Sequence, residues 1–162
     1  MKRTIYPLLA ALTLAASAVS CTNEPKTPHV IFIGFDGWAS YTFNEELMPN
    51  VKALMDAGTY TMQKRTVLPS SSAVNWASMF MSAGPALHGY TEWDSKTPEL
   101  PSRVILKNGI FPTIFQVLRD ARPDAEIGVL YDWDGIKYVV DTLSLSHLEQ
   151  SIDHHNNPGE LG

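Results

Sequence analysis

Two short segments of this 162-residue chain carry residue types that could do chemistry together. The first is Asp36-Gly37, which follows directly on the apolar run Val30-Ile31-Phe32-Ile33-Gly34-Phe35. The second is Ser70-Ser71-Ser72, which stands after Pro69 and leads into an apolar stretch ending near Met81. A serine hydroxyl is a weak nucleophile at neutral pH unless a base or a metal activates it. An aspartate is a hard oxygen ligand suited to holding such a metal. A serine on a helix N-terminus would also sit among free N–H groups and the positive end of the helix dipole. Both favour an alkoxide and hold an anionic phosphate. Each segment also has a plainer explanation: Asp-Gly makes turns, and serine is a favoured helix N-cap.

The elements that must position these residues can be read from periodicity. Val30 to Phe35 has the unbroken apolar character of a strand buried on both faces, the habit of a parallel sheet. Asp36 would then lie at the carboxyl edge of that sheet, where open α/β folds bind their ligands. Gly37 permits the sharp turn and close approach that such an edge needs. Val51, Leu54 and Met55 recur at the spacing of one helical face within Val51 to Ala57, after Pro49-Asn50 and before Gly58. Thr59 to Leu68 alternates and is rich in Thr, Tyr and Val, which predicts a strand ended by Pro69. Trp76 to Ser82 predicts a helix led in by the serines, with Trp76, Met79 and Phe80 assigned to core packing. Thr113 to Ala121 predicts another helix, and Glu126 to Tyr131 a strand. Asp132-Trp133-Asp134-Gly135 after that strand is a second carboxylate cluster, fit for substrate, for metal or for a turn. Strand, helix, strand, helix in this order indicates an α/β sandwich with a largely parallel sheet.

The N-terminal residues have a different character. Lys2 and Arg3 precede the short apolar stretch Leu8 to Val19, and Ala18-Val19-Ser20 leads into the single cysteine, Cys21. This is the layout of a secretory signal over residues 1–20, too short to span a bilayer. Small residues before a cysteine resemble the lipobox of bacterial lipoproteins, which implies lipidation of Cys21 and a place in the cell envelope, facing the periplasm or the exterior. An ordinary secretory peptide with an incidental cysteine is the alternative. Residues 21–28 form a polar, proline-bearing tether. Loss of residues 1–20 leaves ten basic against seventeen acidic residues, a net charge of −7. That balance argues against non-specific nucleic-acid binding, which needs a basic surface. One cysteine allows no disulfide framework, and no repeat or low-complexity tract is present.

With those residues in view, the chain resembles the nucleotide pyrophosphatase/phosphodiesterase branch of the alkaline phosphatase superfamily. Gly34-Phe35-Asp36-Gly37, Met48-Pro49-Asn50 with Leu54 and Gly58, Leu68-Pro69-Ser70-Ser71-Ser72-Ala73-Val74-Asn75, and Gly84-Pro85-Ala86-Leu87-His88-Gly89 fall in the order and spacing of that branch. The resemblance runs from about Val30 to Asp94. It implies a three-layer α/β/α metallohydrolase with a largely parallel sheet, two zinc ions, and cleavage of phosphate esters through a covalent phospho-Thr or phospho-Ser. Asp36 matches the first metal-binding aspartate, and Ser72 the nucleophile that also binds metal. Asn75 matches an asparagine that is mainly structural in the nucleophile helix, and it is carried with Trp93 as a candidate substrate-binding residue. His88-Gly89 matches the His-Gly closing the motif, with His88 expected to position rather than to ligate.

The departures matter as much. Trp93 stands where many family members carry an asparagine that touches the phosphate. Ser72 stands in place of the commoner threonine. The family completes its metal sites with an Asp-x-x-x-His pair, an Asp-His-Gly segment and a final histidine. Asp153-His154-His155 has the residue types but lacks the glycine, and it reads as a solvated polar loop. The expectation is therefore an N-terminal fragment, incomplete at the C-terminus, with residues 29–162 the first part of the metallohydrolase domain. The parent would hydrolyse phosphodiester or pyrophosphate bonds of a nucleotide-like substrate, and the fragment would have little activity. Alternatives are a phosphomonoesterase of the same superfamily and a non-catalytic binding module. Sulfatases require Cys or Ser followed by x-Pro-x-Arg, which Ser72-Ala73-Val74-Asn75 lacks.

Overall fold

A computed structural model describes residues 28–151. Cys21, the signal and most of the tether lie outside the described residues, as does Asp153-His154-His155. The chain divides into two units, Met1–Phe35 and Asp36–Gly162. In the first, Val30, Ile31, Phe32, Ile33 and Phe35 are exposed and belong to no strand. The expected buried strand is thus absent. Its physical reason is the lack of a ladder: the one sheet among the described residues joins two other segments.

Among its described residues the second unit holds four α-helices: α1 (Pro49–Ala57), α2 (Ser72–Met81), α3 (Pro85–His88) and α4 (Ile114–Ala121). It also holds two strands, β1 (Gly128–Tyr131) and β2 (His147–Gln150), paired in parallel with Gly128 opposite His147 and Tyr131 opposite Gln150. This is an α/β arrangement with a small parallel sheet. Pro49 and Pro85 start α1 and α3 from the first turn, where a missing N–H costs nothing. Thr113 caps α4, its hydroxyl accepting the Gln116 N–H at 3.2 Å. Thr59 to Leu68, the second expected strand, is loop. Its backbone goes to side chains instead: Gln63 N–H donates to Thr61 Oγ1 at 3.2 Å and Val67 N–H to Asn75 Oδ1 at 3.0 Å. Such bonds compete directly with a ladder.

The core is built around α2. Ala73, Ala77 and Phe80 follow one row of the helix and are buried, as are Val74 and Met81 on the row beside it. Phe80 meets Phe115 of α4 with ring centroids 5.2 Å apart, and Ile136, Val139 and Val140 close the far side. Two alanines in the first turns let neighbouring backbone approach the helix end that carries Ser72. Among the described residues no helix is long and apolar enough to cross a membrane.

Candidate active site

Ser72 is the first residue of α2, after Ser71 in extended conformation. Asp36 lies in a turn whose next residue, Gly37, has φ +70°, a left-handed value that a side chain would strain. The Ser72 hydroxyl donates to Asp36 Oδ2 at 2.8 Å. Thirty-six residues separate the two, so their meeting is a product of the fold. Asp36 reaches this position from a turn and not from a sheet edge, which corrects the expectation of a carboxylate at a strand's end.

A third residue joins them. Trp76 Nε1–H donates to the same Asp36 Oδ2 at 3.4 Å, and its ring stacks on Phe80 with centroids 5.7 Å apart. Trp76 therefore does more than the core packing assigned to it from the sequence. The signal was present: Ser72 and Trp76 are four residues apart, so they share one face of the helix.

Asn75 holds the loop that delivers the serines. Its Oδ1 accepts from Val67 N–H at 3.0 Å and from the Thr66 hydroxyl, while Nδ2 donates to Ser71 C=O at 2.9 Å. Ser71 Oγ is buried and has no hydrogen-bond partner among the described residues. Trp93 enters from the other side, its carbonyl accepting the Ala73 N–H at 3.3 Å. One donor of the helix N-terminus is thus satisfied by Trp93, and the side chain of Trp93 is left 61% exposed.

His88, the last residue of α3, is fully buried, its ring bonded to Ser78 of α2. Its Nδ1 accepts the Tyr90 N–H at 3.0 Å, so the ring proton resides on Nε2, which donates to Ser78 Oγ at 3.0 Å. The Ser78 hydroxyl in turn donates to Val74 C=O at 2.7 Å. Burial holds the His88 pKa below its ordinary value, because charging the ring would cost desolvation. Gly89 follows with φ +90°, and a Cβ there would stand 2.1 Å from Leu100 C=O. Only glycine fits that approach.

In the second carboxylate cluster, Asp134 accepts from Lys137 Nζ at 2.6 Å and opens a 3-10 turn, Asp134–Tyr138. Trp133 lies against Trp93, ring centroids 6.1 Å apart at 43°.

Asp36 and Ser72 are two oxygen donors of the kind zinc accepts, but a zinc site takes about four ligands. Among the described residues no group of three or more His, Cys, Asp or Glu side chains could hold a metal ion. The pair fits as part of a metal site and does not complete one.

Residues 30–109 match the family model described as type I phosphodiesterase / nucleotide pyrophosphatase. No curated protein and no solved structure matches the chain. The matched stretch contains Asp36, Ser72, Asn75, Trp76, His88 and Trp93, and it ends before Trp133.

Proposed function

The chain belongs, through residues 30–109, to the type I phosphodiesterase / nucleotide pyrophosphatase family of phosphoesterase-type hydrolases, and we propose that it cleaves phosphodiester or pyrophosphate bonds through a phosphoserine on Ser72. The observation that carries this reading is the 2.8 Å hydrogen bond from Ser72 at the start of α2 to Asp36.

In this reading Ser72 Oγ attacks phosphorus in line with the leaving oxygen. The O–P bond forms as the ester bond breaks; the hydroxyl proton, already directed at Asp36 Oδ2, passes to that carboxylate and on to solvent, and the departing alkoxide, on the far side of phosphorus, takes a proton from water. Trp76 Nε1–H, on the same carboxylate oxygen, fixes which way Asp36 faces. The N-terminal dipole of α2 favours the anionic phosphoryl group. Water then attacks the phosphoserine, returning the serine hydroxyl and releasing the phosphate product. Asp36 and Ser72 would hold one of two zinc ions, which lowers the pKa of the hydroxyl and offsets charge on the phosphate oxygens. The supporting architecture is proposed to be the three-layer α/β/α sandwich of the alkaline phosphatase superfamily over residues 29–162. Residues 1–20 are proposed as a signal and Cys21 as a lipid attachment site on the bacterial envelope, supported by Lys2-Arg3, the apolar stretch and Ala18-Val19-Ser20.

The test is Ser72→Ala in the full-length protein, read on the nitrophenyl diester of thymidine monophosphate with and without zinc. Turnover is expected to vanish, and acid quenching of the parent enzyme is expected to trap phosphate on the peptide bearing Ser72. Retained turnover overturns the nucleophile. A higher rate on nitrophenyl phosphate would replace the diesterase by a monoesterase.

A further inference from the structure

Asn108-Gly109 is the one Asn-Gly step in the chain. In such a step the glycine nitrogen can attack the asparagine Cγ, closing a succinimide ring and expelling ammonia. A side chain on the second residue ordinarily hinders that attack, and glycine has none. Gly109 is exposed, and a Cβ built on it would meet no atom within 4 Å. Its surroundings therefore offer no steric brake.

The brake lies in hydrogen bonds. Gly109 N–H donates to Leu106 C=O at 2.9 Å, which keeps its proton in a turn with Gly109 at φ +81°. Asn108 Nδ2 is held elsewhere, donating to Asp141 Oδ2 at 2.7 Å and to Ser144 Oγ at 3.1 Å. Asp141 and Ser144 are each 1% exposed and are bonded to one another at 2.6 Å. The carboxamide is thus committed to a buried network, while the nitrogen that would attack it is committed to Leu106.

We infer that Asn108 is a deamidation site restrained by the Asp141–Ser144 network, and that its conversion is a one-way latch against refolding of this region. The reaction consumes only water. Gly109 N gives its proton to solvent and bonds to Asn108 Cγ; the Cγ–Nδ2 bond breaks, and Nδ2 takes a proton from water and leaves as ammonia. Water then opens the ring. Breaking the new Cγ–N bond gives aspartate, and breaking the original peptide bond gives isoaspartate, whose backbone is one carbon longer. Either product replaces a donor by an acceptor-only carboxylate. In place of Nδ2 it would face Asp141 across a hydrogen-bond distance in a dry site, where two like charges disfavour one another. The nearby cations are already occupied. Arg119, bonded to this network, donates to the carbonyls of Ser144, Pro123 and Ala125 and to Ser146 Oγ, and Lys107 pairs with Asp120. A chain that opens here and reacts has lost the donor that closed the network. Modification of an opened segment follows the population of the open form, so the rate at Asn108 reports how often the network parts.

The experiment incubates the full-length protein in one mildly alkaline buffer, folded and in urea. Position 108 is followed by peptide mass and by isoaspartate-specific methylation. Conversion in urea is expected to outpace conversion in the fold by roughly tenfold or more, as for a segment that opens rarely. Ser144→Ala, read where denaturant titration shows it folded, should raise the folded rate and leave the urea rate unchanged. Equal rates in the fold and in urea, or no response to Ser144→Ala, overturn the restraint. Asn108→Asp and Asn108→Ala both remove the Nδ2 donor, and only the first adds charge. Asn108→Asp is expected to unfold at lower urea than Asn108→Ala, and a midpoint at or above that of Asn108→Ala overturns the latch. Where neither variant folds, the partly converted parent decides. After dilution from urea its folded fraction should be depleted in converted chains, and equal composition in the folded and unfolded fractions overturns the latch.

Discussion

Two Asp–Ser pairs in this molecule share their chemistry and differ in everything around it. Asp36 and Ser72 are joined at 2.8 Å across thirty-six residues, and Asp36 is exposed. Asp141 and Ser144 are joined at 2.6 Å within one 3-10 turn, and both are 1% exposed. The second carboxylate is saturated: it also accepts from Asn108 Nδ2 at 2.7 Å and from Leu143 N–H at 3.2 Å. Asn108 reaches Ser144 Oγ as well, at 3.1 Å, and Arg119 donates to Ser144 C=O at 3.1 Å. That network ties α4 to the segment entering β2. Among the described residues, the carboxylate of the first pair has only an indole besides its serine. A buried carboxylate with both oxygens bonded can hold a fold and do nothing else. One that faces solvent, with a hydroxyl aimed at it from a helix end, contributes little to the fold and is free for the proposed chemistry.

The largest expected effect separates them by function. Ser72→Ala should reduce kcat in the full-length protein on the order of a thousandfold or more and leave the thermal midpoint nearly unmoved, since the lost hydrogen bond is exposed. Asp141→Ala should do the converse. It strands the donors of Asn108, Ser144 and Leu143 in a buried site, at about 2–4 kcal/mol of stability by denaturant titration. If Ser72→Ala unfolds the protein, or Asp141→Ala costs nothing, the contrast between the two pairs is wrong.

A smaller effect tests the edge of the first pair. Trp76→Phe keeps the ring on Phe80 and removes only the indole donor to Asp36. Stability should hold to within about 1 kcal/mol, while kcat/KM falls by roughly three- to tenfold, the worth of one ordinary hydrogen bond, since this one is long and exposed. An unchanged kcat/KM would return Trp76 to the core and leave Asp36 oriented by Ser72 alone.

How legible these regions were depends on the range of the interactions that make them. α1 and α4 fall close to where apolar spacing, Pro49 and Thr113 place them, because caps and helical faces are local, while α2 starts at Ser72, four residues before the Trp76 expected. β1 is shorter than the Glu126 to Tyr131 expected but is in place. The runs 30–35 and 59–68 have strand composition and form no strand among the described residues. Composition shows what a strand would like and says nothing of whether a neighbour supplies the ladder. Ser72 and Asp36 could be singled out as residue types suited to one another, but their 2.8 Å contact is tertiary. The Asp141–Asn108 contact was invisible for the same reason: residues 33 apart in sequence meet only in the fold. Trp133 was seen as part of a carboxylate cluster, and its packing on Trp93 was not.

His88 belongs with the saturated groups, with one difference: its saturation holds in one protonation state only. Neutral His88 accepts from Tyr90 N–H and donates to Ser78; a protonated ring would place a second N–H against the Tyr90 amide in a dry site. Its pKa in the fold is accordingly depressed by burial, whereas in the unfolded chain it titrates near the ordinary value of about 6.5. Above that value neither state binds the proton and the full stability is present. As pH falls below it, the unfolded chain takes up a proton that the fold refuses, and stability declines until the depressed folded pKa is reached. The decline attributable to His88 cannot exceed about 1.4 kcal/mol per pH unit, the limit for one proton. His88→Gln, which keeps an acceptor and a donor, should be less stable than the parent at pH 7.5 and lose less on going to pH 5. The difference between the two curves isolates position 88. Parallel curves would mean that the fold takes up the His88 proton as readily as the unfolded chain does, and the distinction between a saturated frame and the open, proposed catalytic pair would then fail at the residue that anchors α2.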